Sequence, residues 1–121
     1  MDPMFVTAMI MNESSFRPTI RGTSGEIGLM QILPGTGKWM ANKIKVNWEG
    51  EKTLKDPVLN IQLGTAYVSY LREKYRHGQL YMAAYNMGPG NLRKALRRQI
   101  RPEDYTLKVM SHYFDLYKKI L

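Results

Sequence analysis

At 121 residues and 14.0 kDa the chain is long enough to bury one core and too short for two. Hydrophobic residues make up 44% and run along the whole length, which excludes a disordered tract, while the lack of cysteine excludes a disulfide framework and thiolate chemistry. A net charge of +8 and a pI near 9.8 favour an anionic partner, either nucleic acid, an anionic membrane or an acidic polymer.

The first element is signalled by Asp2-Pro3, an N-cap followed by proline at the first helical position. It predicts a helix from Pro3 to about Met11, with Phe5, Ala8 and Met9 on one face and Asn12 beside them. The helix is expected to end in Asn12-Glu13-Ser14-Ser15-Phe16, before Pro18. A helix start this near residue 1 suggests one domain, residues 1–121, trimmed from a longer exported chain. Residues 17–29 are rich in Gly, Ser and Thr and read as a loop with room for at most a short hairpin. After Leu29-Met30-Gln31-Ile32-Leu33 and Pro34-Gly35, Thr36 is the expected N-cap of a helix running through Ile44. Residues 46–56 are polar and read as a loop.

Asp56-Pro57 repeats the cap-and-proline signal. Leu59, Leu63, Ala66 and Tyr70 then mark an apolar stripe, widened by Val58, Ile61 and Val68, that should stop near His77-Gly78. Leu80 to Tyr85 reads as a short buried helix, broken by Gly88-Pro89-Gly90, with a basic helix over Asn91 to Arg98. Pro102-Glu103-Asp104 opens the last helix with acids in its first turn. Val109, Tyr113, Leu116 and Ile120 form its stripe, flanked by Met110, Phe114, Tyr117 and Leu121. With no strand of useful length and no repeat, the class is mainly α. Arg93, Lys94, Arg97, Arg98 and Arg101 read as a solvated helix face; with Lys43 and Lys45 they carry much of the charge. No apolar run approaches the ~20 residues that span a membrane.

Most of the carboxylates sit at helix starts, in polar loops or on polar faces. Glu13 differs, because it closes an apolar helix and would face inward one turn after Met9. An inward carboxyl must be paired or stay protonated, and the protonated state is the one a general acid requires at neutral pH. No metal or other cofactor is expected: His77 and His112 belong to no spaced ligand motif, and Gly88-Pro89-Gly90 has no Lys-Ser pair after it. Two further segments, Gly25 to Ile32 and Ala83 to Gly90, mix glycines, apolar residues and amide or phenol groups. Glycines allow close backbone approach, and amides and phenols offer the hydrogen bonds that sugars need.

Taken in order, these segments resemble the catalytic domain of soluble lytic transglycosylases, which has the goose-type lysozyme fold. Asp2-Pro3, Glu13-Ser14, Gly28-Leu29-Met30-Gln31-Ile32 with Pro34-Gly35-Thr36, Asn60 to Tyr67, Ala84-Tyr85-Asn86 with Gly88-Pro89-Gly90, and Tyr105 with Val109 match the family's motifs through nearly the whole chain. Two positions depart from it. Gly22 stands where the family often has serine, and Arg101 where it often has glutamate, with Glu103 nearby.

The resemblance implies a single helical domain with a substrate cleft, in the periplasm or cell envelope. It acts on peptidoglycan glycan strands, cutting the β-1,4 bond between N-acetylmuramic acid and N-acetylglucosamine and leaving a 1,6-anhydro ring. Glu13 is then the catalytic acid and base. Ser14, Met30, Gln31, Tyr85, Asn86 and Tyr105 are the implied substrate-binding set: Gln31 and Tyr85 hold the sugar, Met30 lines the cleft and Asn86 braces its loop. The partner is the glycan, not nucleic acid. The chain is expected to be a monomer, with room for envelope or secretion-apparatus protein partners. Glu26 reads as an exposed loop charge; facing Glu13 across the cleft, it would instead activate water and make a muramidase-type hydrolase. Two other classes remain open: a non-catalytic wall-binding module, and a basic nucleic-acid-binding helical domain whose one support is the run from Arg93 to Arg101.

Overall fold

The computed structural model describes residues 1–120. Leu121, placed beside the apolar stripe of the last helix, lies outside them. Among the described residues there are seven helices: α1 (Pro3–Ser14), α2 (Pro34–Ile44), α3 (Glu51–Lys55), α4 (Pro57–Lys74), α5 (Leu80–Met87), α6 (Pro89–Arg97) and α7 (Asp104–Ile120). None is long and apolar enough to cross a membrane. The mainly α class holds.

Helix α1 begins as the sequence predicts: the Asp2 carboxylate accepts from the Met4 N–H at 2.8 Å. The other oxygen of Asp2 accepts from the Tyr113 hydroxyl, which ties the start of α1 to α7. The helix runs three residues past the expected Met11. Nothing in Asn12-Glu13-Ser14 breaks it; the stop is Ser15, left-handed at φ 50°, whose N–H returns to the Met11 carbonyl. Glu13 therefore sits in the last helical turn and closes the helix, as the sequence predicts.

The segment between α1 and α2 forms no strand, but a short hairpin-like wrap is present. Ile27 bridges Arg21 on one side and Ile32 on the other, with Ile27 and Ile32 exchanging backbone hydrogen bonds at 2.9 and 3.1 Å. Ile27 is fully buried and anchors the wrap in the core. Helix α2 opens at Pro34 with Leu33 as N-cap, not at Thr36. Proline fits the first helical position without loss of a donor, so Thr36 falls inside the first turn.

The 46–56 stretch is not all loop. Glu51–Lys55 forms the one-turn helix α3, with Leu54 wholly buried and the Thr53 hydroxyl accepting from the Glu49 N–H at 2.7 Å. One apolar residue in five leaves no period to read. Helix α4 stops at Lys74, short of His77-Gly78, and its buried face is Asn60, Leu63, Gly64, Val68 and Leu71. Val58, expected inside, is 72% exposed. The buried face is turned toward a polar residue and a glycine, because the loop around Met30 lies against them, and apolar spacing cannot reveal that.

Helix α1 packs on α7, and α4 packs on α2, α3 and α5. The main core gathers Met9, Met40, Leu63, Met82 and Val109 from these helices, with Ile27 and Met30 from the wrap. A satellite cluster of Leu71, Ala83, Ala84 and Leu92 fastens α5 and α6 to α4. On α7, Tyr105, Thr106 and Val109 are buried and Tyr113 and Leu116 half-buried, while Ile120, Phe114 and Tyr117 are exposed.

Candidate active site

The end of α1, the 20–33 wrap and the end of α5 enclose a cleft of about 360 Å³. Its walls carry Glu13, Glu26, Gln31, Tyr67, Tyr85 and Asn86, among apolar contacts from Ile32, Leu33 and Met87. Acid, amide, ring and aliphatic surface in one cavity suit an amphipathic ligand with many hydroxyls.

Glu13 is mostly buried, and burial raises its carboxyl from 4.5 to about 7. The Tyr105 hydroxyl donates to Oε2 at 2.5 Å and pulls the value back down, while the charge of Glu26 pushes it further up. Glu13 is thus a carboxyl balanced between its two states near neutrality, as a group that must give and then take a proton requires.

The wrap is held by a residue that the sequence did not single out as part of the site. Asn60 is fully buried on α4, and its Oδ1 accepts from the Met30 N–H at 2.8 Å. Its Nδ2 donates to the carbonyls of Ile27 at 3.0 Å and Leu54 at 2.8 Å. One side chain therefore substitutes for a strand partner across 27–30. The available signal was an asparagine one residue from a strong apolar stripe. Gly28 passes over this amide at φ 84°, where a Cβ would come within 2.3 Å of Asn60 Nδ2 and 2.4 Å of the Leu54 carbonyl. Only glycine fits both the angle and the space.

The cleft brings together Glu13, Gln31, Tyr85 and Asn86 from the expected set, but not Ser14, Met30 or Tyr105. Ser14 is buried and its hydroxyl donates back to the Ile10 carbonyl at 3.2 Å, so it faces the core side of α1 and not a ligand. The Met30 side chain is wholly buried in the core; only its carbonyl serves the site, accepting from the Tyr85 hydroxyl at 2.6 Å. Tyr105 is buried behind Glu13 and orients it. Burial pushes both Tyr85 and Tyr105 well above the ordinary phenol value, so both remain neutral donors.

Gln31, at φ 53°, gives its amide hydrogens to the carbonyls of Ile20 and Gly28, leaving Oε1 as the group it can offer a ligand. Tyr85 presents its ring, since its hydroxyl proton is already committed. Asn86 stands exposed at the rim; the turn after α5 is instead braced by Asn91, whose Nδ2 donates to the Met87 carbonyl at 2.8 Å.

Glu26 is not an exposed loop charge. It is half-buried on the cleft wall, and its carboxylate accepts from the Ser24 N–H at 2.8 Å. Gly22 explains its room: a Cβ there would meet Gln31 Oε1 at 2.5 Å and Glu26 Oε1 at 2.9 Å. The tips of Glu26 and Gln31 fill the space that a serine at 22 would take. Arg101 and Glu103 line a separate surface groove with Pro102 and Thr106, and neither reaches the cleft.

Residues 1–108 match the family described as "Transglycosylase SLT domain". The soluble lytic murein transglycosylase of Salmonella typhimurium is 33% identical over 91 residues, which cover 74% of this chain and 14% of that protein. The endo-type membrane-bound lytic murein transglycosylase A of Klebsiella pneumoniae is 40% identical over 73 residues, 58% of this chain and 36% of that protein. The crystal structure of the 70 kDa soluble lytic transglycosylase of Escherichia coli superposes with a TM-score of 0.73 at 27% identity, covering 93% of this chain and 19% of that one. The chain thus spans a small part of the length of these relatives.

Proposed function

We propose that this chain, which belongs to the transglycosylase SLT domain family, cleaves the β-1,4 bond between N-acetylmuramic acid and N-acetylglucosamine in peptidoglycan as one catalytic domain. The observation that carries the reading is a single mostly buried carboxyl, Glu13, raised to about 7 and facing an amphipathic cleft.

In the first step protonated Glu13 gives its proton to the glycosidic oxygen as the C1–O bond breaks, and the bonding electrons leave with that oxygen. The N-acetyl carbonyl of the muramic sugar shields the cationic C1, which makes a second protein carboxylate unnecessary. In the second step the Glu13 carboxylate takes the proton of the C6 hydroxyl as its oxygen bonds to C1. The 1,6-anhydro ring closes, Glu13 is reprotonated and no water is consumed. Tyr105 holds Glu13 in place through both steps, its hydroxyl bond strengthening when the carboxylate forms. Gln31 Oε1 accepts from a sugar hydroxyl or amide, and the Tyr85 ring packs on a sugar face.

A peptidoglycan substrate supports an activity in the periplasm or cell envelope. The +8 charge suits the carboxylates of stem peptides. Mass spectrometry of digested sacculi tests the reading: anhydro-muramic ends are expected, and Glu13→Gln should abolish them. Reducing muramic ends in their place would overturn the transglycosylase reading and make Glu26 the base that activates water.

A further inference from the structure

A second groove, of about 500 Å³, lies on the outer side of α2 and holds both tryptophans of the chain, Trp39 and Trp48. Asn42, Asn47 and Lys38 share its walls. Trp39 is 44% exposed, unusual for so large an apolar ring, yet it is fixed in position. Its ring meets Tyr70 edge-on at 4.8 Å and 76°, and Lys43 Nζ stands over both rings at 5.4 and 5.6 Å. No carboxylate lines the groove among the described residues, so it has the means to bind but not to cleave.

A run of aromatic rings leads from the groove to the cleft. Tyr70 stacks on Tyr67 at 6.4 Å and 13°, and Tyr67 meets Tyr85 at 5.6 Å; Tyr67 and Tyr85 are on the cleft wall. The first turn of α2 divides the two cavities, with Thr36 on the cleft side and Gly35 on the groove side. We infer that the Trp39–Trp48 groove is a second glycan-binding site, holding N-acetylated sugars of a strand whose neighbouring segment occupies the Glu13 cleft. The chemistry of the walls fits that occupant. Indole faces take the C–H side of a pyranose, Asn42 and Asn47 pair with acetamido groups, and Lys38 meets lactyl or stem-peptide carboxylates. The inference rests on the glycan-cleaving reading, which fixes the occupant of the cleft.

Because both tryptophans line the groove, intrinsic fluorescence reports on it directly. In the Glu13→Gln protein, titration with uncrosslinked glycan strands of several disaccharides should give a saturable change in tryptophan emission. By calorimetry, Trp39→Ala in that background should bind the strands about fivefold to tenfold more weakly, as expected for loss of one stacked ring. Asn42→Ala, at an exposed position with no fold to disturb, should weaken binding as well. With Glu13 intact, Trp39→Ala should cleave a short fragment that fills only the cleft at the parent rate and long strands more slowly. Unchanged emission at saturating strand, or long-strand affinity untouched by both variants, overturns the second site. Failure of the parent chain to cleave the short fragment would overturn the glycan-cleaving reading instead, and emission and calorimetry would still report on the groove independently.

Discussion

Replacing Glu13 by glutamine should make the protein more stable above neutral pH while abolishing its activity. The Glu13 carboxyl binds a proton more tightly in the fold, at about 7, than in the unfolded chain, at 4.5. Below 4.5 both states are protonated and the residue contributes nothing to the pH dependence. As pH rises from 4.5 through 7 the unfolded chain loses its proton first, and stability falls by about 3 kcal/mol at about 1.36 kcal/mol per pH unit of the gap. Glutamine has the same shape, carries no charge and still accepts from Tyr105. At pH 4 the variant should therefore melt with the parent. At pH 8 it should melt higher, by about 10 °C if the full 3 kcal/mol is recovered in a chain of this size. Thermal melts followed by circular dichroism from pH 4 to 8.5 check this, with cleavage of sacculi measured in parallel. A stability difference that stays constant across the range, or a variant less stable at pH 8, would refute the argument that the fold holds an uncompensated carboxylate. The agreement expected instead is a site that gives up stability for chemistry.

The remaining predictions concern the groups around Glu13. The kcat/KM of the parent on soluble glycan fragments should fall above about pH 7, as the acid form of Glu13 is lost. Tyr105→Phe removes the bond that favours the charged form, so that alkaline limb should move to higher pH; kcat should fall about tenfold from lost orientation. A purely structural role for Tyr105 would leave the limb in place. Glu26→Gln removes a neighbouring negative charge, so the limb should move to lower pH, the opposite sense. Asn60→Ala leaves the Met30 N–H and two carbonyls without partners, and urea denaturation should register a loss of about 3 kcal/mol or more. A loss below 1 kcal/mol would mean that the wrap holds itself.

The sequence by itself determined what depends on neighbours along the chain. Asp2-Pro3 and Asp56-Pro57 announce two helix starts because capping is a contact over two or three residues. The class followed from helical apolar spacing and the absence of strand patterns. Glu13 stood out because it ends an apolar run, and the motifs around Gly28 and Tyr85 gave it a family. Tertiary structure decided what depends on direction across the chain. A helix carried past Met11 places Glu13 and Ser14 on different sides of α1, so one faces the cleft and the other the core. Met30 and Tyr105 lie in matching motifs, yet one points from the wrap into the core and the other is buried behind the acid, since sharing a motif does not fix which way a side chain points. Glu26 became part of the cleft only because Gly22, four residues earlier, leaves space for its carboxylate. Asn60 acquired its role from carbonyls at 27 and 54 and an N–H at 30, groups that every residue carries and that no sequence pattern marks.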